Sequence, residues 1–277
     1  MQTNTRHLQL AQEIARRLEP FPAVQAVAVG GSLAGGHADE TSDIDLYVFT
    51  TAEIPLAFRK AIIEELGASH ADLDLRFWDP GDEWVHADTG IEVDMVYWDT
   101  AWISEQLERV LGQQQAGTGY TTCFWHTIRL IQPLFDRQGW LAALRDKAAQ
   151  PYPPALRQEI IAKNMAVIRG CIPAYESQVN KALRRGDAVS VNHRLAALLA
   201  SYFDALFAYN WLTHPGEKRL VEYALKHCRR APAGMAAEIN TVLRLAGDMR
   251  PELSGALAGL IDGLEACLAS GELPPLD

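Results

Sequence analysis

Hydrophobic residues follow a strand-like arrangement in the first third of the chain and a helical arrangement after it. Short apolar runs bounded by turn residues predict four strands, over 24–29, 44–49, 73–78 and 91–98. Helical spacing predicts helices over 5–18 and 55–66, whereas the acidic, turn-rich stretch 79–90 predicts a loop. This order of elements is typical of an α+β domain with a small mixed β-sheet and helices.

Helical periodicity dominates from Thr100 to the end of the chain. It predicts eight helices, over 101–111, 120–131, 139–148, 155–183, 189–212, 217–229, 235–246 and 252–269. The Pro-Tyr-Pro-Pro cluster at 151–154 predicts a linker, and Pro173 predicts a kink or break in the helix that contains it. We therefore expect an α+β domain over 1–150 and an all-helical bundle over 151–277.

Acidic residues are concentrated in the first of these domains. The 277 residues carry 35 acidic and 25 basic side chains, a formal net charge of −10. Residues 1–150 hold 22 acids and 11 bases, and the stretch 72–99 alone has nine acids and one base, Arg76. Nucleic acid is disfavoured as the main partner, because phosphate binding needs a basic face. A divalent metal, a cationic substrate or solvated loops are each compatible with the charge.

Several other classes of protein are disfavoured by the sequence. No apolar stretch reaches the length of a membrane span, and the first residues do not form a basic segment followed by an apolar run. We therefore expect a cytoplasmic protein with no membrane partner. The four cysteines include no C-x-x-C pair and the histidines show no H-E-x-x-H spacing, which disfavours structural zinc and a zinc hydrolase.

The residues that indicate chemistry follow the first predicted strand. Gly30-Gly31-Ser32 forms a turn after that strand, where the lack of bulk would let backbone N–H groups and a hydroxyl approach phosphate oxygens. Asp43 and Asp45 open the second strand, and alternate residues of a strand point to the same face. Adjacent carboxylates repel each other unless a cation lies between them, and oxygen ligands favour Mg²⁺.

A third carboxylate is expected from a neighbouring strand. Glu92 and Asp94 share one face of the predicted strand 91–98. We favour Asp94, because apolar residues follow it and place it inside the strand. Asp74, in the predicted strand 73–78, is the competing candidate.

This arrangement resembles the nucleotidyltransferase superfamily of the DNA polymerase beta type. The family's glycine pair and serine correspond to Gly30, Gly31 and Ser32, and its Asp-x-Asp with a preceding serine corresponds to Ser42-Asp43-Ile44-Asp45. Asp94 matches the later strand aspartate, and the resemblance covers about residues 22–100. A transferase domain followed by a helical bundle is also similar to bacterial antibiotic nucleotidyltransferases that act on aminoglycosides or lincosamides.

The resemblance implies a function and a set of roles. Asp43, Asp45 and Asp94 would hold Mg²⁺, with two ions expected, while ATP or another NTP would give AMP to a hydroxyl of a small-molecule acceptor and release pyrophosphate. Asp94 or Glu92 would be the general base. The nucleotide would be bound by a larger set of residues: Gly30, Gly31, Ser32, Ser42, Lys218 and Arg219. Residues 151–277 would bind the acceptor, and antibiotic resistance would be the biological role.

Two alternatives to this function remain open. The protein could be an antitoxin-like transferase that attaches AMP to a protein side chain, or a nucleotide-binding protein that kept the fold without turnover. The sequence is compatible with either a monomer or a homodimer.

Overall fold

The computed structural model describes residues 2–34 and 42–275, with the side chains of residues 2–5 and of Ser32 excepted. The described strands are β1 (Val24–Val29), β2 (Ile44–Thr50), β3 (Ala68–Leu75), β4 (Gly81–His86), β5 (Glu92–Asp99) and β6 (Gln132–Asp136). The described α-helices are α1 (Gln2–Leu18), α2 (Gly31–Ala34), α3 (Leu56–Leu66), α4 (Thr100–Leu107), α5 (Cys123–Leu130), α6 (Trp140–Ala148), α7 (Pro154–Met165), α8 (Tyr175–Arg184), α9 (Ala188–Tyr209), α10 (Leu220–His227), α11 (Met235–Gly247) and α12 (Leu253–Ala269). None of these helices combines the length and apolarity that crossing a bilayer requires.

The described strands form one mixed sheet in the order β3-β4-β5-β2-β1-β6. The central pair, β2 and β5, is parallel, and the other neighbouring strands are antiparallel. Strands β3, β4 and β5 are consecutive both in sequence and in the sheet, whereas the chain between β2 and β3, which includes α3, crosses to the edge of the sheet, so β4 and β5 lie between β2 and β3. The predicted fold class, a small mixed sheet with helices followed by a helical region, is confirmed.

Two predictions about the strands are wrong. The predicted strand 73–78 begins earlier, as Ala68–Leu75, and the predicted loop 79–90 contains the strand Gly81–His86. The third strand is an edge strand with mostly exposed polar residues at 69–72, so it lacks the apolar alternation that identifies a strand. Strand β6 was not predicted, because only half-buried apolar residues mark it.

The core of the sheet determines which side chains face away from it. Ile14 of α1 and Ile63 of α3 pack against Ile44, Leu46 and Val48 of β2. Since alternate residues of a strand point to opposite faces, the intervening residues of β2 must project to the other side of the sheet. Asp45 is one of these intervening residues, and it is half-buried.

Spatial proximity divides the chain into two compact units. One contains Met1–Glu108 and Thr127–Gln150, and the other contains Arg109–His126 and Pro151–Asp277. The segment Arg109–His126 thus groups with the helices that follow residue 150. In the second unit, α7 ends at Met165, a π-helical turn follows, and α8 begins only after Pro173, so the predicted break is confirmed.

A buried polar cluster joins the segment Arg109–His126 to helices of the second unit. The Asp204 carboxylate of α9 accepts hydrogen bonds from the Thr121 backbone N–H (3.1 Å) and the Thr121 hydroxyl (2.6 Å). It also accepts one from the Asn164 side-chain amide of α7 (3.1 Å). Only 2% of Asp204 is exposed. Burial raises the pKa of Asp204 to about 6, against an ordinary value of 3.8.

We expect Asp204 to make the stability of the protein depend on pH. Because the folded-state pKa is raised, the contribution of Asp204 is fully present below pH ~4 and is lost as the pH rises through ~6. The free energy of unfolding of the wild type, relative to that of Asp204→Asn, should fall by about 3 kcal/mol between pH 4 and 7. Urea unfolding of both proteins across this range measures the difference. The exposed Asp248→Asn is the control, and parallel profiles for the wild type and Asp204→Asn would contradict the expectation.

Candidate functional site

Carboxylates from two neighbouring strands share one face at one end of the sheet. In the parallel pair, Asp45 of β2 is in register with Asp94 of β5, and Ile44 is in register with Val93. Residues in register on parallel strands point to the same face, as do alternate residues of one strand. Asp43 and Glu92 therefore lie on the same face as Asp45 and Asp94.

The acidic face continues across two further strands. Glu83 of β4 is in register with Asp94, and Asp72 of β3 is in register with Glu83. Asp72, Glu83, Asp94 and Asp45 thus form a transverse row, which we call the carboxylate row. Next to it is a cavity of about 320 Å³. Its lining includes Asp43, His70, Asp72, Glu83, Glu92 and Asp94.

The glycine pair lies directly against Asp45. The Gly30 backbone N–H donates to the Asp45 carbonyl oxygen at 2.9 Å. A Cβ added to Gly31 would lie 1.7 Å from Asp45 Oδ2, and Gly31 has φ +54°, a conformation that side chains disfavour. A Cβ at Gly30 would lie 2.5 Å from Tyr47 Cε2. The two glycines are therefore needed where the backbone passes close to Asp45 and Tyr47.

Part of the predicted phosphate-binding segment falls outside the described residues. The side chain of Ser32 is not described, and neither are residues 35–41. The backbone at Ser32 belongs to the short helix α2, which begins at Gly31. The first N–H groups of a helix have no acceptor within that helix.

His7 contacts the backbone beside Asp43, a contact that the sequence did not predict. His7 of α1 is 2% exposed, and its Nε2 donates to the carbonyl oxygen of Ser42 at 3.0 Å. This bond attaches the residue before Asp43 to a helix of the core. His7 precedes the buried Ala11, Ile14 and Leu18 at helical spacing, so the periodicity of α1 could have identified it as an inward-facing residue.

Glu83 and Asp72 were also not assigned to the site. Both belong to the acidic stretch 72–99, but the sequence predicted a loop where β4 lies, and a loop has no alternation that would assign Glu83 to a face. Because β4 is a strand that pairs with β5, Glu83 lies beside Asp94.

The oxygen donors suit a hard divalent cation, although they are not arranged around one point. Asp43, Asp45 and Asp94 offer carboxylate oxygens on a common face, the ligand type that Mg²⁺ prefers. Within residues 2–34 and 42–275, no three His, Cys, Asp or Glu side chains are placed so that they could hold one metal ion. The register of the strands fits a metal site, because it places the three carboxylates on one face. To bind one metal ion together, these side chains would have to reorient.

The other candidate residues lie elsewhere. Asp74 accepts hydrogen bonds from Arg59 (3.1 Å) and Arg76 (2.8 Å) and is not in the carboxylate row. Lys218 and Arg219 are exposed residues before α10 in the second unit, and Arg219 has φ +53°.

Comparison with known proteins identifies the fold of the first part of the chain. Residues 9–112 match the family model of the nucleotidyltransferase domain. A solved nucleotidyltransferase-like protein from Exiguobacterium sibiricum 255-15 is 13% identical, with 95% of this chain and 74% of that chain covered and a TM-score of 0.43. The non-canonical poly(A) polymerase complex GLD-2–GLD-3 is 12% identical, with 94% and 92% covered and a TM-score of 0.31. A comparison with curated proteins finds no match.

The family match confirms the resemblance of this segment to nucleotidyltransferases, whereas the narrower resemblance to antibiotic nucleotidyltransferases stays a prediction. The matched segment includes Gly30, Gly31, Asp43, Asp45 and Asp94. The prediction of a nucleotidyltransferase is confirmed at the level of this domain. The roles of individual residues, the nucleotide and the acceptor stay predictions.

Proposed function

We propose that the nucleotidyltransferase domain of residues 9–112 transfers AMP from ATP to a hydroxyl group of a small-molecule acceptor in a Mg²⁺-dependent reaction that releases pyrophosphate. One observation carries this proposal: Asp45 and Asp94 are in register on parallel strands, with Asp43 on the same face and Gly31 against Asp45. This arrangement combines oxygen ligands with a backbone segment that can approach phosphates closely.

Each group in this arrangement has a proposed role. Gly30, Gly31 and Ser32, together with Ser42, bind the phosphates of the nucleotide. Asp43, Asp45 and Asp94 hold Mg²⁺. When bound, Mg²⁺ would supply charge neutralisation at the α-phosphate of the transferred AMP group and on the leaving pyrophosphate.

The proton of the acceptor hydroxyl needs a base on the same face. Asp94 and Glu92 are both placed there, and Glu92 is the more exposed of the two. A carboxylate within hydrogen-bond reach of the hydroxyl accepts its proton as the oxygen attacks the α-phosphate. The proposal that Lys218 and Arg219 bind the triphosphate rests on the family resemblance alone.

A cationic acceptor suits the charge of the site. The carboxylate row extends from Asp45 to Asp72 without an intervening basic residue in register. Opposite charges lining a cleft raise the local concentration of a cationic substrate. We therefore favour an aminoglycoside-like acceptor over an uncharged one, with a lincosamide-like acceptor as the second choice and antibiotic modification as the role.

Product analysis with purified protein tests the function. The protein is incubated with each α-³²P-labelled NTP and Mg²⁺, with and without a panel of aminoglycosides and lincosamides. We expect pyrophosphate release and a labelled acceptor with ATP. Label on protein would instead support the AMP-attaching transferase, and nucleotide binding without pyrophosphate release would support the non-catalytic alternative.

Gly31→Ala is expected to lower the transfer rate at least about a hundredfold, because the methyl group would occupy the position of the Asp45 carboxylate. The matched control is Gly90→Ala. Gly90 also has a positive φ (+69°), but nothing lies within 4 Å of an added Cβ. Both variants therefore introduce backbone strain of about 1–2 kcal/mol, and only the first displaces a ligand. Equal transfer rates in the two variants would contradict the proposed role of Gly31.

A further inference from the structure

A second cavity lies at the opposite end of the sheet from the carboxylate row. Its volume is about 430 Å³, and its lining includes Thr50 and Asp99, the last residues of β2 and β5. These residues lie five positions beyond Asp45 and Asp94, which corresponds to roughly 16 Å of strand. A molecule in this cavity would therefore be remote from the residues proposed for phosphate and metal binding.

Two tryptophans form the apolar wall of the cavity. The rings of Trp98 and Trp102 have centroids 5.7 Å apart and are tilted by 56°. The Trp98 indole N–H donates to Asp79 Oδ2 at 3.1 Å, which holds that ring in orientation. Ala52, Ile54 and Pro80 add to the apolar lining. Trp98 is 5% exposed and its ring also packs against that of Tyr47, with centroids 4.7 Å apart, so Trp102 is the more exposed of the two indoles. The faces of indole rings carry negative potential and attract cations more strongly than other aromatic side chains do.

The charged lining of the cavity is predominantly acidic. Arg59 is 4% exposed, and its charge is already balanced by an ion pair with the fully buried Asp82. That carboxylate also accepts a hydrogen bond from the Tyr97 hydroxyl at 2.7 Å. Because this pair is internally neutral, Arg59 does not make the cavity attractive to anions.

The other charged residues of the lining are mostly acidic. Four acidic residues line the cavity: Glu53, Asp74, Asp79 and Asp99. Besides Arg59, Arg76 is the one basic residue in this lining. Arg76 pairs with Glu53 and, at 2.8 Å, with Asp74, which also accepts a hydrogen bond from Arg59 at 3.1 Å. The hydrogen bond from Arg76 lowers the pKa of Asp74, so this carboxylate is ionised at neutral pH. The lining of the cavity thus carries net negative charge.

We infer that this cavity is a binding site for an organic ammonium ion with an apolar body of about phenyl size. The Trp102 indole and the carboxylates of the lining favour the cationic group, and the apolar lining favours the body. The volume lies within the range of small-molecule sites. This inference is independent of the proposed transfer reaction, because no residue of the carboxylate row lines the cavity.

Three probes with the same phenyl body and different charge test the inference by isothermal titration calorimetry. They are phenethylammonium, 2-phenylethanol and 3-phenylpropionate. We expect phenethylammonium to bind at one site at least about tenfold more tightly than 2-phenylethanol, with no measurable binding of 3-phenylpropionate. Equal affinities, a preference for the carboxylate, or no binding of phenethylammonium up to about 10 mM would each overturn the inference.

Variants test whether phenethylammonium binds in this cavity, and they separate the contribution of the carboxylates from that of the indole ring. The double variant Glu53→Gln/Asp79→Asn should weaken phenethylammonium about tenfold and leave 2-phenylethanol unchanged, whereas Trp102→Ala should weaken both probes. Asp88→Asn, an exposed acid in the turn between β4 and β5, is the matched charge control. An unchanged affinity in the double variant would overturn the inference even if Trp102→Ala failed to fold.

Two further measurements test whether the probe binds in this cavity or at the proposed active site. The Trp98 indole N–H resonance, assigned by its absence in Trp98→Phe, should shift when phenethylammonium binds. Asp45→Asn should bind phenethylammonium as the wild type does, whatever its transfer activity. Loss of binding in Asp45→Asn, or an unshifted Trp98 resonance at saturation, would overturn the assignment to this cavity.

Discussion

Asp45→Asn is expected to lower the rate of nucleotide transfer about a thousandfold while leaving the fold intact. Asp45 lies between Asp94, in register on the next strand, and Gly31, whose backbone approaches its carboxylate. Asparagine keeps the shape but removes the charge that would hold Mg²⁺. The loss of several kcal/mol of electrostatic stabilisation corresponds to about three orders of magnitude in rate. Pyrophosphate release with ATP and the identified acceptor measures the effect.

The controls separate chemistry from folding. Asp88→Asn removes one exposed acidic charge from the same unit and should keep the wild-type rate. Asp45→Asn should show the wild-type thermal midpoint to within a few degrees, because an isosteric change of a half-buried residue leaves the packing unchanged. A transfer rate within tenfold of the wild type in Asp45→Asn would show that Asp45 does not hold the metal.

The largest effect on stability is expected for Asp82→Ala, which should lower the free energy of unfolding by about 3–5 kcal/mol. Asp82 is fully buried, where it pairs with Arg59 and accepts hydrogen bonds from the Tyr97 hydroxyl (2.7 Å) and the Asp74 backbone N–H (2.8 Å). Removing the carboxylate would leave the buried guanidinium with only the partly exposed Asp74 as a charged partner. Urea unfolding measures the change.

A surface pair nearby is the matched control for this expectation. Glu53→Gln removes the exposed ion pair with Arg76 and should change the free energy of unfolding by less than about 1 kcal/mol. Replacing both buried partners, as Arg59→Met/Asp82→Leu, should recover part of the loss, because no buried charge then remains unpaired. A change of less than about 1 kcal/mol in Asp82→Ala would contradict the importance of the buried pair.

The local sequence was sufficient to predict the strands β1 and β2 and the candidate residues at their ends. The strands 24–29 and 44–49 were predicted nearly to their observed bounds, and the shared face of Asp43 and Asp45 followed from strand periodicity alone. The glycine turn was recognised for the same reason, since a buried apolar run that ends in two glycines leaves few alternatives. Local rules apply here because each conclusion depends on residues close together in the chain.

The acidic stretch 72–99 shows what local rules leave open. Strand pairing puts Asp72, Glu83, Glu92 and Asp94 on one face, but Asp82 is in a buried ion pair and Asp99 accepts hydrogen bonds at the start of α4. The net charge of the stretch therefore has two origins, a surface that suits a cation and a set of structural contacts. Composition gave no way to separate them.

Periodicity along the chain thus defined the first two strands, the glycine turn and the Asp-x-Asp pair, because these features depend on neighbouring residues. The parallel pairing of β2 with β5, the existence of β4 and the contact between His7 and Ser42 depend on segments far apart in sequence. Register between distant strands arises from packing of their buried faces, here against α1 and α3, and a single sequence does not display that packing. The sequence therefore favoured Asp94 over Asp74 only by its place inside a predicted strand, whereas the folded sheet places Asp94 beside Asp45 and pairs Asp74 with two arginines.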